Sequence, residues 1–384
     1  MDSSNKLFLL DAYALIYRAY YAFIKNPRIN SKGFNTSAIL GFVNTLEEVL
    51  KKENPTHIGV AFDPAGPTFR HEAFEQYKAQ REETPEAIRL SVPIIKDIIR
   101  AYRIPILEVA GYEADDVIGT LATEAGRQGI TTYMMTPDKD YGQLVSDKVF
   151  MYRPKHTGGF EVMGVEEVKA KFDIQSPAQV IDMLGLMGDS SDNIPGCPGV
   201  GEKTAQKLIS EFGSIENLLE HTDQLKGALK TKVETNREMI TFSKFLATIK
   251  IDVPIQLEMD SLVREEADED SLRSIFEELE FRTLIDRVLK KGVSGNGITS
   301  TPGSKVATGK SAPSPLPLFP EEGGGIQGNL FANFTPNEPD EAKKSNLETL
   351  ESQSRNYQLI DTEEKRREIV QKLLTSKILS LDTE

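Results

Sequence analysis

Hydrophobic positions in the first half of the chain follow two rhythms. Short runs of β-branched, aromatic and aliphatic residues at 7–10, 57–62, 104–109 and 131–135 read as buried strands. Between them Ile39, Leu40, Phe42, Val43, Leu46, Val49 and Leu50 recur at helical spacing, as do Val117, Ile118, Leu121, Ala122 and Ala125. This alternation predicts βαβ units and an α/β fold around a mostly parallel central sheet. After about residue 172 the strand signals fade and helical segments at 178–186, 203–211 and 234–248 predict a smaller all-α unit. The reading divides the chain into a core at 1–175 and a helical subdomain at 176–291. A flexible linker rich in Gly, Pro, Ser, Thr and Asn is expected at 292–352, followed at 353–384 by a strand, helix and strand that open another domain, cut short.

Each expected strand runs into acid at its carboxyl end. Asp11 follows the first and Asp63 the second; Glu113, Asp115 and Asp116 follow the third, and Asp138 and Asp140 the fourth. In an open parallel sheet those ends share one edge, where ligands bind, so acids distant in sequence converge there. Asp189 and Asp192, in LMGDSSDNIPG, extend the set. Alone, each is an ordinary loop, turn or helix-cap carboxylate. Together their repulsion must be quenched by protons or cations.

Other residue types leave few cations to choose from. The single cysteine, Cys197, forms no internal disulfide and reads as a small turn residue, and His57, His71, His156 and His221 lack zinc-site spacing. Oxygen ligands alone favour Mg²⁺ or Mn²⁺, and two such ions suit phosphodiester hydrolysis without a covalent nucleophile. A net charge of −14 argues against a simple nucleic-acid binder, but with nine carboxylates assigned to a metal cluster the remainder carries only −5. The opening MDSSNKLFLLDAYALIY is too short and too interrupted for a signal peptide or membrane span, so a cytoplasmic protein with no membrane partner is expected.

Two further segments suggest a grip on DNA. In IPGCPGVGEKTAQKLISEFGSIENLL, Gly199, Val200 and Gly201 read as a hairpin between two helices, with Lys203 and Thr204 opening the second. Glycines admit a phosphate close to the backbone, and free N–H groups at the helix start bind its charge. A plain glycine-capped αα-turn is the competing account. In TFRHEAFEQYKAQREETPEAI, Arg70, Lys78 and Arg81 are candidates for stabilising charge on a scissile phosphate, with Tyr77 stacking on a base. A solvated surface helix explains the same charges.

The motifs LLDAYALIYRAYYAF, FDPAGPTFRHEAFEQYKAQR, GYEADDVIGTLA, TPDKDYGQLV and GDSSDNIPGCPGVGEKTAQKL resemble, in order, the 5′-nuclease (flap endonuclease-like) domain of bacterial DNA polymerases of type I, over about residues 1–291. The resemblance implies a PIN/flap-nuclease-like core, a helical arch and a helix-hairpin-helix subdomain. It implies a 5′–3′ exonuclease and structure-specific endonuclease, with Asp11, Asp63, Glu113, Asp115, Asp116, Asp138, Asp140, Asp189 and Asp192 as metal ligands. Arg70, Lys78 and Arg81 match the arch's basic positions, and the hairpin matches one that often carries a monovalent cation, K⁺ here. The implied partner is DNA with 5′ flaps, nicks or RNA primers, bound by a monomer near the bacterial nucleoid. Two positions depart from the family: Ala12 and Tyr13 stand where Gly-Asn or Gly-Ser is usual, and Pro64 where alanine is common.

The terminal SLDTE is similar to the first motif of a 3′–5′ exonuclease-like domain, with Asp382 and Glu384 as would-be ligands of a site incomplete within these residues, which include no polymerase domain. Gln327, Leu330 and Phe331 spell Q-x-x-L-F, similar to peptides that dock on sliding clamps, although chance produces so short a pattern more often. Three other readings compete. A non-catalytic branched-DNA-binding module has no chemical reason to keep nine clustered acids. An aspartyl-nucleophile phosphatase wants a second aspartate where Tyr13 stands. A PIN-type RNA nuclease lacks the arch and hairpin.

Overall fold

The computed structural model describes residues 5–155 and 158–289. Among them β1 (Lys6–Asp11), β2 (His57–Ala61), β3 (Ile106–Leu107), β4 (Thr131–Met135), β5 (Val149–Pro154) and β6 (Phe160–Met163) form one sheet in the order β3-β2-β1-β4-β5-β6. Every pair is parallel except β5 with β6. The strand order reverses direction at β1, between β2 and β4, which opens a crevice at the carboxyl ends.

Helices cover both faces. α1 (Ala12–Ala22) and α2 (Ser37–Lys52) follow β1, α3 (Phe69–Ala73) and α4 (Glu86–Ala101) follow β2, and α5 (Ala114–Arg127) joins β3 to β4. Beyond β6 come α6 (Val165–Phe172), α7 (Gln179–Met187), α8 (Glu202–Phe212), α9 (Ile215–Glu220), α10 (Gly227–Thr235), α11 (Arg237–Ala247), α12 (Glu269–Glu278) and α13 (Arg282–Val288).

Alternation along β1 divides the core into two layers. Leu7 and Leu9 share one with Val117 and Leu121 of α5 and with Leu184, Leu208 and Leu246 of the following helices. Phe8 and Leu10 share the other with Ile16, Phe42, Ile95 and, from the far end of the described chain, Leu272, Phe276 and Leu284. The helical half is therefore not a detached unit. Helices α7 to α11 continue the core on one face of the sheet, and α12 and α13 return to the other.

Several expectations change in detail. The run at 104–109 contributes only Ile106 and Leu107 as strand, because Pro105 has no N–H and serves the ladder solely through its carbonyl, which accepts from Val60. β5 and β6 were not expected; they are held by stacked rings, Tyr133 on Phe150 and Tyr152 on Phe160. The helix expected at 234–248 is two helices, broken at Asn236, whose side-chain amide donates to the Lys232 carbonyl at the end of α10. Where an arch was expected, the chain between β2 and α4 holds the five-residue α3 and then turns. The turns lie along the loop that carries Asp192: the Lys78 amide donates to the Asp192 carbonyl, and the Asn193 side chain donates to that of Gln76. Gln327, Leu330, Phe331, Asp382, Glu384 and His156 lie outside the described residues, as do the expected linker and third domain.

Candidate metal centre

The carboxylates gather at the crevice. Asp11 ends β1 and caps α1, accepting from the Ala14 amide at 3.1 Å, from the Tyr141 hydroxyl at 3.1 Å and from the Thr136 hydroxyl at 3.2 Å. Asp63 accepts the Ala114 amide at 2.7 Å, so the end of β2 is tied to the start of α5. At that start Asp116 accepts the Glu113 amide at 3.0 Å, and Glu113, Asp115 and Asp116 bring ligand oxygens within 4.8 Å of one another. This triad forms because acids favour the first turn of a helix, where they meet the positive end of its dipole.

From the opposite side, Asp138 accepts the Asp140 amide at 2.9 Å and caps a short 3-10 turn, Lys139–Leu144. Asp189 and Asp192 arrive on the loop between α7 and α8. That loop closes at its neck by contact between two glycine backbones. A side chain on Gly196 would meet the Gly188 nitrogen at 2.3 Å, and both glycines have positive φ, so no other residue fits either place.

Electrostatics links all nine acids in one field. Asp11 is pushed up from 3.8 to about 7 by burial and then by the charge of Asp63, with Asp138 adding to it. Asp63 is raised by burial and by Glu113. Asp138 is raised by burial, with Asp192 and Asp189 contributing. Asp115 and Asp140 rise furthest, through burial and then repulsion from Asp116 and Asp138 respectively. These two also each keep one buried oxygen that has no hydrogen-bond donor among the described residues. Arg70 comes no nearer than 4.0 Å to that Asp115 oxygen, and buried carboxylate oxygens with no donor, beside other acids, fit a hard cation held by oxygen ligands.

The basic residues occupy the other flank. Arg70 is 1% exposed and forks onto Asp116 at 2.8 Å through both terminal nitrogens. It also donates to Glu113 at 3.0 Å and to the carbonyls of Leu246 and Thr248. Arg70, a candidate for stabilising charge on a scissile phosphate, has its donors engaged within the protein, where it orients two acids and ties them to the end of α11. Tyr77, expected to stack on a base, is likewise buried, and its hydroxyl, 2.9 Å from Glu113 and 3.0 Å from Asp192, shares its one proton between them. Lys78 donates to Glu113 at 2.7 Å and Arg81 pairs with Asp192. Although burial pushes them up, Glu113 is held low by Lys78 and Arg70, and Asp192 by Lys78 and Arg81.

The hairpin differs from the expected helix pair on its first side. Between α7 and α8 the residues 188–201 contain no helix. Gly199 has φ +74°, and a side chain there would meet the Lys232 ammonium at 2.4 Å, whereas Gly201, which caps α8, faces open space. Val200 and Cys197 are buried, Lys203 is exposed and Thr204 half-buried. Pattern reading passed over Thr136 and Tyr141, which hold Asp11. Their one signal was position, on either side of Asp138 and Asp140 in the same strand-end motif.

Comparison with known proteins places this geometry. Residues 6–173 match the family described as 5′-3′ exonuclease, N-terminal resolvase-like domain, and residues 175–270 match 5′-3′ exonuclease, C-terminal SAM fold. The chain is 42% identical over 287 residues to DNA polymerase I of Bacillus caldotenax, an alignment covering 74% of this chain and 32% of that protein. It thus spans about a third of the length of that curated relative. Among solved structures, T5 5′-exonuclease with bound zinc ions matches with a TM-score of 0.54 at 21% identity, covering 72% of this chain and 99% of that one. The catalytic core of Rad2 in complex with DNA substrate matches at 0.51 and 18% identity, covering 74% and 93%. These two share the fold.

Proposed function

Because this chain belongs to the 5′–3′ exonuclease family, we propose that it hydrolyses DNA phosphodiester bonds close to 5′ ends, as an exonuclease and flap endonuclease of the DNA polymerase I kind that removes flaps and RNA primers. The observation that carries the reading is the field of nine carboxylates at the crevice, in which Asp115 and Asp140 each keep an oxygen with no donor among the described residues. Two Mg²⁺ or Mn²⁺ ions suit that donor set. Bound there, such ions supply an activated water and stabilise charge on the phosphate and leaving oxygen.

The chain's own groups have separable parts in this proposal. Asp11, Asp63, Asp115, Asp138 and Asp140 face the ions, with Glu113, Asp116, Asp189 and Asp192 completing the set. Arg70 fixes Glu113 and Asp116 in place. Lys78 and Arg81 are near enough to exchange their carboxylate partners for a phosphate, since both reach Asp192. The hairpin from Gly199 to Thr204 grips the duplex backbone, and K⁺ held there would supply positive charge toward a phosphate. The enzyme acts as a monomer in the bacterial cytoplasm; docking on a sliding clamp through Gln327, Leu330 and Phe331 falls outside the described residues.

A labelled 5′-flap duplex incubated with Mg²⁺, with and without chelator, tests the reading beside single-stranded DNA, RNA and a small phosphomonoester. Cleavage at the flap base is expected, abolished by chelator and by Asp115→Asn/Asp140→Asn. Tight flap binding with no cutting under any divalent ion would instead establish a binding module.

A further inference from the structure

The acid-bearing segments meet at the end of α11, where the chain leaves the helix in extended form at Thr248. Extended backbone sends successive peptide groups to opposite sides, and both sides are used here. On one side the Thr248 carbonyl accepts from Arg70 at 2.8 Å, and the Lys250 amide donates to Asp116 at 2.8 Å. On the other side the Ala247 carbonyl accepts from the Gln143 side-chain amide at 3.0 Å, and the Ile249 amide donates to the Gln143 side-chain oxygen at 2.9 Å. One turn earlier, the Ser243 hydroxyl accepts from the Gly196 amide at 2.9 Å, at the neck of the loop that bears Asp189 and Asp192. The end of α11 and the strap after it therefore hold three separate acid-bearing segments.

Gln143 is the grip on the third of these. It lies in the 3-10 turn that Asp138 caps, and it also donates to the Asp140 carbonyl at 3.1 Å. Both N–H groups of its side chain thus meet carbonyls while its oxygen meets an amide, a pattern that needs a primary amide. Glutamate would set an oxygen against those carbonyls, and methionine fills the same length with no hydrogen bond.

Resting on the nuclease reading above, we propose that Gln143 is a positioning residue of the metal centre. It pins the turn of Asp138 and Asp140 to one edge of the strap while Arg70 and Asp116 hold the other edge, so two ligand groups on opposite sides of the crevice keep a fixed separation. Asp140, with its buried oxygen that has no donor among the described residues, takes its aim from this bond. Divalent ions demand their ligands at set distances, whereas the hairpin's hold on a duplex does not depend on that separation.

The experiment is a titration of the full chain with Mn²⁺ alone, the free ion counted by electron paramagnetic resonance, beside anisotropy with a labelled 5′-flap duplex under chelator. Gln143→Met is expected to weaken Mn²⁺ binding and to slow flap cleavage by about tenfold each, with flap affinity under chelator unchanged. Gln143→Asn, which keeps the amide but shortens its reach, is expected to fall between Gln143→Met and wild type, and it carries the test where Gln143→Met folds poorly. Gln179→Met is the matched control, because Gln179 likewise bonds three backbone groups, the amides of Gln175 and Ser176 and the carbonyl of Gly213, away from the acids of the crevice. It is expected to lower the thermal midpoint comparably and to keep wild-type Mn²⁺ affinity. Wild-type Mn²⁺ affinity in both Gln143 variants, or an equal fall in Gln179→Met, overturns the positioning role alone. Wild-type protein that binds no Mn²⁺ and leaves the flap uncut overturns the nuclease reading beneath it.

Discussion

Two flanks of one acid cluster behave in opposite ways. On the flank of Glu113, Asp116 and Asp192, guanidinium and ammonium groups meet the carboxylates within hydrogen-bond distance, and Glu113 and Asp192 are held below their ordinary range against the pull of burial. On the flank of Asp11, Asp63, Asp115, Asp138 and Asp140, burial and mutual repulsion drive the carboxylates upward. The first flank is built and closed by the chain itself. On the second, repulsion among the acids is quenched by protons, as at Asp11, and in the proposal above by cations.

The sharpest way to break this division is at Arg70. Arg70→Met leaves Asp116 buried without its fork and is expected to cost about 3–5 kcal/mol in denaturant unfolding, with Arg70→Lys recovering part of it. Equal stability of wild type and Arg70→Met would show that this flank is not held together as described. Next in size, Asp115→Asn/Asp140→Asn is expected to lower flap cleavage at least about a hundredfold, roughly 2.7 kcal/mol, without lowering the thermal midpoint of the metal-free protein. A fall in that midpoint would assign the two residues to structure instead.

The two flanks also titrate with opposite sign. Asp11 holds its proton up to about 7 in the folded state against 3.8 in the open chain, so between those values the folded protein binds protons that the unfolded chain has released. Stability without divalent ions therefore falls as pH rises through that window and levels off above it. Glu113 and Asp192, held low, contribute stability that is lost as pH falls below about 4. Calorimetry under chelator is expected to show a midpoint several degrees lower at pH 8 than at pH 5, and Mg²⁺ is expected to raise it more at pH 8. A midpoint that climbs with pH under chelator would contradict the assignment. Smallest of all, Tyr77→Phe removes one hydroxyl shared by Glu113 and Asp192 and is expected to cost about 1 kcal/mol of stability while leaving DNA affinity unchanged. Loss of affinity without loss of stability would restore the base-stacking role.

The same contrast shows how far the residue pattern reaches. β1, β4, α2 and α5 are legible because their apolar periods match their burial, and the acids are legible because strand ends of a parallel sheet must meet. Burial of the basic residues is not legible. Arg70 and Tyr77 lie among exposed-looking charges, and nothing local distinguishes a solvated guanidinium from one enclosed by carboxylates that arrive from α5, more than forty residues later. β5 escapes notice because its alternating side chains, Phe150 and Tyr152, face rings of other strands instead of water, which erases the polar half of the period. The break at Asn236 is hidden because the apolar positions of α10 and α11 continue in phase across it, and only the amide's bond to Lys232 reveals a helix end.

The touching backbones of Gly188 and Gly196 act as a clasp on the loop between them. A loop fastened at its neck delivers Asp189 and Asp192 to the crevice as one rigid tooth, whatever the side chains along its rim. The helical half thereby contributes charge to a centre built on the sheet, and a single added methyl at the clasp would move both aspartates together.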